Sequence, residues 1–509
     1  MIDKPAIFEI STQQNIDAFL HKLNKGYRFE FENHETDTCA LFDTFDWRFF
    51  QTGYWVLVRR KTMELHRLAD FSLVETVDFK KLPCFIWDIP ESGFKARATS
   101  VLEMRALQKL LTIRSTAEKF IILNDDKKTV ARFQIIAFDG DKTGSRMIRN
   151  IELMRVRGYE DDFRAIAKLL EQVGAERKSH SAFESVLVAA GLSPGGYTAK
   201  LNFQLTPEMP AGEAARIILR HLLNIMRLNV PGIKADIDTE YLHDFRVAIR
   251  RTRSALAQIK DVFPAEATRE FRNKFAEIGR MTNQLRDLDV YLLDADAYRA
   301  LLPDALKPGI EPFFDYLLIE RKKALAKIRR WLNSKKYQQV LSEWEAFLQT
   351  ADAASMGSNA HLPVIDLANT RIYKKYRAVL KDGKKITPET VDDDLHALRI
   401  DCKKLRYLME FFASLYPADD IGALIKQLKK LQDNLGRFND YCVQAETLLH
   451  LIDRFHEEKT GTYQTIAALG GLVGAILMEK QFVRSEFQVT FSKFAGKQNK
   501  RHFLRLFNE

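Results

Sequence analysis

Two periodicities divide the chain. Up to about residue 188, apolar residues alternate with polar ones or gather in β-branched runs. The runs are Tyr27–Phe31, Tyr54–Arg60, Phe71–Val77, Phe120–Leu123, Val130–Phe138 and Arg149–Val156. A period of two predicts strands, with turns at Asn124-Asp125-Asp126 and Asp139-Gly140-Asp141. Helical spacing occurs at Thr12–Leu23, Val101–Leu111, Asp161–Gln172 and Ser181–Ala190. The expectation for residues 1–190 is an antiparallel α+β domain built on a curled sheet or barrel. A Gly/Pro-rich connector follows at 191–212, from Gly191-Leu-Ser-Pro-Gly-Gly to Thr206-Pro-Glu-Met-Pro-Ala-Gly. Beyond it, apolar residues recur at spacings of three and four in Ala214–Leu228, Leu242–Val262, Ala265–Leu293, Ile310–Leu332, Tyr337–Leu348, Val364–Leu380, Asp393–Leu415, Ile421–Ile452 and Gln464–Phe494. Breakers stand at Pro231-Gly232, Pro264, Pro303, Pro308, Pro363, Lys381-Asp-Gly and Pro417. Residues 213–509 are therefore expected to be all-α.

The helical half carries an internal repeat. His243, Arg246, Arg250 and Arg253 recur 153 positions later as His396, Arg399, Lys403 and Arg406. Further on, Arg286 and Asp289 answer to Arg437 and Asp440 at an offset of 151. Each unit holds about four helices, so the half is expected to be a tandem of two four-helix bundles, at about 213–350 and 364–509.

Steps of three, four and three keep each quartet within roughly an 80° arc of a helix. Apolar residues take another face: Phe245, Ile249, Leu256 and Ile259 in one helix, and Leu398, Cys402, Leu408, Met409 and Phe412 in the other. Cations stacked on one helix face repel by a few tenths of a kcal/mol per pair. A solvated face explains one such stripe, but its repetition points to an anion. Other basic positions in the half are Arg216, Arg220, Lys322, Arg371, Lys375, Lys426, Lys430 and Arg437, most of them without an i,i+4 carboxylate. Asp289 and Asp440 either orient arginines or cap turns.

Composition sharpens this picture. At 509 residues the chain holds two to four domains, and 46% hydrophobic with 29% charged residues is ordinary for a soluble protein. Residues 1–195 contain 29 Lys+Arg and 28 Asp+Glu, whereas 196–509 contain 49 and 40. Nearly all of the net +10 therefore lies in the half with the stripes, which implies an anionic partner there. Cys39, Cys84, Cys402 and Cys442 are scattered, suggesting neither disulfides nor a zinc site, and a reducing cytoplasm is the default. The opening Met-Ile-Asp-Lys-Pro is unlike a signal peptide. Ile466–Met478, closed by Glu479 and Lys480, reads as a packed helix rather than a membrane span. No cofactor or metal motif stands out, no membrane partner is expected, and the oligomeric state stays open.

His-x-x-Arg-x-x-x-(Arg/Lys)-(Arg/Lys)-x-Arg in two copies within an all-helical region resembles the conserved-histidine α-helical domain, CHAD, over residues from about 197 to 509. The resemblance implies two four-helix bundles with pseudo-twofold symmetry that bind inorganic polyphosphate, and an association with polyphosphate granules. Its motif positions here are His243, Arg246, Arg250, Arg251 and Arg253, then His396, Arg399, Lys403, Lys404 and Arg406. Lysine in the second copy keeps the charge but loses the bidentate fork.

The N-terminal half resembles the CYTH triphosphate-tunnel family. Phe42-Asp-Thr-Phe-Asp with Gly53 and Arg59 is similar to that family's Asp-Thr-x-Asp…Gly…Arg-x-Arg stretch, and Phe138-Asp-Gly and Ile151-Glu-Leu…Gly158…Leu169-Leu170 to its later strand and helix. The chemistry departs from it. Glu9-Ile-Ser-Thr-Gln stands where the family has Glu-x-Glu-x-Lys, Leu57 replaces the first Arg of Arg-x-Arg, and Met154 replaces a carboxylate. Glu9, Asp139 and Glu152 are few for metal-assisted phosphoanhydride cleavage, so a degenerate catalytic set is expected. The rival readings are a triphosphatase or polyphosphate hydrolase acting in residues 1–190, and a nucleic-acid binder using the basic helices. Against the latter, there is no helix-turn-helix signature and no aromatic residue interleaves with the stripes.

Overall fold

The computed structural model describes residues 5–10, 12–69, 71–140, 148–178, 182–349, 356–457 and 461–508. The chain start through Lys4, Asp141 of the second predicted turn, and Ser181 lie outside them. The chain divides into two compact units, residues 1–198 and 199–509.

The first unit is one antiparallel sheet in the order β5-β4-β3-β2-β6-β7-β8-β1-β9. Its elements are β1 (Ala6–Ile10), α1 (Gln13–Leu23), β2 (Arg28–Asp43), α2 (Arg48–Gln51), β3 (Tyr54–Arg59), β4 (Thr62–Arg67), β5 (Leu73–Asp78), α3 (Gly93–Leu102), β6 (Gln108–Leu123), β7 (Thr129–Gly140), β8 (Ile148–Arg155), α4 (Glu160–Gln172), β9 (Glu176–Lys178) and α5 (Ala182–Ala189). Alternation explains the pairing: Phe8, Ile10, Phe133, Ile151 and Leu153 face inward with Phe19 of α1 and Leu170 of α4. The helix expected at Val101–Leu111 is displaced. Ser92 caps α3 by accepting from the Lys95 amide, and Glu103, at φ 50°, ends it. The apolar residues beyond belong to β6, a 16-residue strand. Apolar run length could not separate the two there.

The second unit is helical. It comprises α6 (Ala211–Ala235), α7 (Thr239–Gln258), α8 (Ala265–Met281), α9 (Asn283–Leu293), α10 (Ala295–Leu301), α11 (Glu311–Leu332), α12 (Lys335–Gln349), α13 (Val364–Gly383), α14 (Asp392–Phe411), α15 (Ala418–Glu457), α16 (Tyr463–Ser485), α17 (Phe487–Phe494) and α18 (Lys497–Phe507). Its two halves meet in a reciprocal bridge between Pro210 and Pro363. The Ala211 amide donates to the Leu362 carbonyl at 2.9 Å, and the Val364 amide to the Met209 carbonyl at 2.8 Å. Each atom maps onto its counterpart by the 153-residue offset, so the bridge is a local pseudo-twofold. Proline fits this spot because the bonds use its neighbours' groups, and its fixed φ starts each helix.

Three helix boundaries differ from the sequence pattern. First, α6 runs through Pro231-Gly232, where Gly232 lets the buried Tyr241 ring approach; a Cβ there would overlap the ring. Second, the stretch Ala265–Leu293 bends at Thr282, whose hydroxyl bonds back to the Gly279 carbonyl. The matching α15 is one helix of 40 residues. Third, the stretch Gln464–Phe494 divides at Glu486; its longer part, α16, runs through Glu479 and Lys480, and Lys480 pairs with Asp392. With α17 it forms a segment, Tyr463–Phe494, long and apolar enough to cross a membrane by length and composition. Leu469, Leu472 and Ile476 of α16 are buried, while Leu477, Met478 and Phe482 are exposed. The connector also proves partly packed: Phe203 and Leu205 are buried, and the Ala199 carbonyl accepts from Arg251.

Gly232→Ala should destabilise the protein by roughly 1–3 kcal/mol through overpacking. Gly436→Ala, in α15 with open space at its Cβ, should instead be neutral or gain about 0.5–1 kcal/mol. Thermal melts followed by circular dichroism compare the two, and equal melting temperatures would contradict the packing at Gly232.

Candidate anion-binding site

The stripes lie on α7 and α14, two 20-residue helices that pack against each other. Asp238 caps α7, accepting from the Glu240 and Tyr241 amides, and Asp392–Asp394 occupy the first turn of α14. The apolar positions read from the sequence, Phe245, Ile249, Leu256, Leu398, Cys402, Leu408 and Met409, are all buried. That burial turns the cations outward and toward one another. Arg250 of the first repeat acts electrostatically on Arg399 and Lys403 of the second.

Burial together with Arg399 and Arg250 pushes the Lys403 ammonium down to about 8, with Asp440 opposing. Arg399 is lowered by burial and Arg250, again against Asp440. Burial and Arg250 lower Arg246 to about 10, with Asp287 opposing, so it stays charged at neutral pH. Burial, Arg272 and Arg280 lower Arg253. A set of cations that depress one another is poised to be relieved by an anion.

The two copies differ in how their cations are held. In the first, Arg246 donates to neutral acceptors: the Gly279 carbonyl at 3.2 Å, Thr282 Oγ1 at 2.8 Å and Asn283 Oδ1 at 2.9 Å. These groups flank the bend at Thr282. Arg246, Arg250 and Arg253 line a cleft of about 200 Å3 with Arg280 and Asn283 of the neighbouring helices. In the second copy carboxylates intervene. Arg399 meets Asp440 at 3.2 Å, Arg406 meets Glu410 at 3.5 Å, and Lys404 meets Asp401 at 2.9 Å. Arg251, on the first repeat, is tied to Glu410 at 3.0 Å. His243 is half-buried at the head of its stripe, and His396 hydrogen-bonds through Nδ1 with Asn439 Oδ1.

The remaining basic positions are not brought to this face by their contacts. Arg220 donates to the Leu348 carbonyl, and Arg216 lies 3.9 Å from the Met356 sulfur. Arg371 faces Asp261 at 3.7 Å and Lys375 faces Asp401 at 3.4 Å. Lys322 and Lys426 are exposed. Lys430 and Arg437 line a different cleft of about 480 Å3, where Arg437 meets Glu486. Arg286 is the exception, since its charge acts on Arg246 of the first stripe. The absence of i,i+4 carboxylates thus misled: several of these runs find their partners on other helices. Asp440 does orient a stripe arginine, whereas Asp289 holds Arg321 of α11 at 2.6 Å. Arg272 and Arg280 escaped the sequence analysis because their counterparts at offset 151 are Ala423 and Leu431.

In the first unit, the positions resembling a triphosphate tunnel are committed internally. Asp43 accepts from the amides of Thr44, Phe49 and Phe50, and burial still pushes it up to about 6. Asp46 holds Arg48 at 2.9 Å. Arg59 is paired with Asp37 and Glu64. Glu152, opposite Gln134 in the sheet, accepts from its amide at 2.6 Å, and Glu9 lies 3.8 Å from Lys178. Leu57 is fully buried. Among the described residues, no three His, Cys, Asp or Glu side chains gather as a metal site.

Because Arg246 satisfies three acceptors, Arg246→Ala should cost roughly 1–3 kcal/mol of stability. Arg253→Ala, which removes an exposed cation, should stay within about 0.5 kcal/mol. Urea denaturation midpoints for the two variants test this, and equal midpoints would refute a structural role for Arg246.

The CHAD domain family model matches residues 217–449. Two uncharacterized proteins of Mycobacterium tuberculosis, MT2285 of strain CDC 1551 and Rv2226 of strain H37Rv, are each 25% identical over 279 residues, covering 52% of this chain and 52% of their own length. The chain thus spans about half the length of the curated relatives it matches. Among solved structures, the CHAD domain from the plant Ricinus communis aligns with a TM-score of 0.47 at 22% identity, over 58% of this chain and 96% of that one. PptA from Streptomyces chartreusis aligns with a TM-score of 0.42 at 17% identity, over 56% and 100%. On the strength of the family match, the helical half of this chain contains a CHAD domain.

Proposed function

We propose that the chain binds inorganic polyphosphate along the facing stripes of α7 and α14. The observation that carries this reading is the placement of Arg250 against Arg399 and Lys403, cations from two repeats on one surface. A linear polyanion relieves that repulsion and releases its counterions on binding. The CHAD family is associated with polyphosphate, which agrees with this chemistry. The fold in this reading is two four-helix bundles about the pseudo-twofold at Pro210 and Pro363. The first unit is a CYTH-like sheet whose catalytic set is degenerate, and the protein acts in the cytoplasm.

Replacing Arg250 and Arg253, or Lys403 and Arg406, with Ala should weaken binding of long-chain polyphosphate. It should also make the slope of log affinity against log salt shallower. Long chains should outbind tripolyphosphate through avidity, and a single-stranded oligonucleotide of equal charge should bind more weakly. Equal affinity for DNA would leave only a generic basic surface. For the first unit, phosphate release from tripolyphosphate or ATP with Mg²⁺ or Mn²⁺ should be negligible. Robust turnover abolished by Glu152→Gln would reverse that assignment.

A pH dependence follows from Lys403. Its ammonium titrates near 8 in the free protein, and bound phosphate holds it protonated. Affinity should therefore be full below pH 8 and fall above it, by up to about tenfold per pH unit for one linked proton. Lys403→Arg keeps the charge at all these pH values, so its profile should be flatter. Calorimetric titrations at pH 7, 8 and 9 decide the matter, and identical slopes in both proteins would rule out Lys403 as the titrating group.

A further inference from the structure

We propose that the cleft between α7 and α8 is an anchoring subsite for the terminal phosphoryl group of a phosphate chain, and that the two repeats therefore bind unequally. This rests on the polyphosphate reading and goes beyond it by assigning different tasks to the two stripes.

Four guanidiniums, Arg246, Arg250, Arg253 and Arg280, line a cleft of about 200 Å3. That is below the roughly 300–1,000 Å3 of ordinary small-molecule pockets, a size for a phosphoryl group or two. No carboxylate lines it. Among the described residues, Arg250, Arg253 and Arg280 have no ion-pair partner, and Arg272 adds its charge from nearby. Arg246 is immobilised by the Gly279 carbonyl, Thr282 and Asn283, so part of the cleft is preorganised.

The second repeat cannot offer the same site. Leu431 stands in place of Arg280 and Lys403 in place of Arg250, while Glu410 and Asp440 partly neutralise Arg406 and Arg399. The helix there also runs straight past the position of the Thr282 bend. Charge density along a polyphosphate is highest at its ends: a terminal phosphoryl group carries up to two charges and three non-bridging oxygens, an interior one a single charge and two oxygens. Dense, forked cations, of which Arg246 alone feels an opposing carboxylate, Asp287, suit the end. The partly neutralised second stripe suits the interior, which moves past it in any register.

The test uses the full-length protein and polyphosphate of one defined length, with free ends or with both terminal phosphoryl groups converted to amidates. Wild type should bind the free-ended chain about tenfold or more tightly than the capped one, the effect of a lost charge-assisted contact. Arg280→Ala should erase that preference, whereas Arg406→Ala should weaken both chains alike and preserve it. Arg280→Lys, keeping charge without the fork, should fall between. Melting curves verify folding of each variant. Equal wild-type affinity for capped and free chains would overturn the subsite while leaving polyphosphate binding intact. Failure of wild type to bind either chain would overturn both readings.

Discussion

The reciprocal bridge at Pro210 and Pro363 is the constraint from which the functional face follows. Two amide–carbonyl bonds start α6 and α13 from one point in opposite senses. Short turns then return the chain as α7 and α14, which pack on each other. Equivalent residues near the local axis must meet, so a stripe on one helix confronts its copy on the other. Repetition of a basic motif thereby becomes concentration of charge, which two independent surface helices would not produce.

Concentrated charge must be tolerated without a ligand, and the protein does this by two routes. In the first repeat, neutral oxygens at the Thr282 break hold Arg246, Asp287 adds an opposing charge, and Arg250 and Arg253 remain open to solvent. In the second, Asp440, Glu410 and Asp401 share the load. Asp440 and Glu410 pair with stripe cations, so they reduce the stripe's pull on an anion as well as its self-repulsion, whereas Asp401 pairs with Lys404 and Lys375. The cost is local in either case, because Leu398, Cys402, Ile249 and Phe245 anchor the helices from the opposite side.

Much of this was legible in the sequence. The sheet and the long helices fall in different compact units, and Phe245, Ile249, Leu398 and Cys402 are buried as their spacing requires. The strand interrupting Val101–Leu111 was not legible, because a short apolar run fits both periods and the decisive signal, the Ser92 cap, stands nine residues upstream. Nor were the ion pairs Arg227–Glu345, Arg371–Asp261 and Arg437–Glu486, which join distant helices and make several basic runs structural. In the first unit, the motif around Asp43 does not reveal by its spacing that the carboxylate accepts the amides of Thr44, Phe49 and Phe50.

Repeats also hide what is not repeated. A search by offset finds Arg246 with Arg399 and passes over Arg280, whose partner position is Leu431. Yet duplication frees one copy to diverge while the other preserves the shared surface. Here the first copy differs by a helix break at Thr282, neutral acceptors for Arg246, Arg280 in place of Leu431, Ala248 and Ala257 in place of Asp401 and Glu410, and Asp244 and Asp287 in place of Ala397 and Phe438. Arg280, Ala248 and Ala257 raise the net positive charge of the first copy, while Asp244 and Asp287 lower it. The physical argument for treating the two stripes as different parts of one site is the cleft itself, lined by four guanidiniums and no carboxylate.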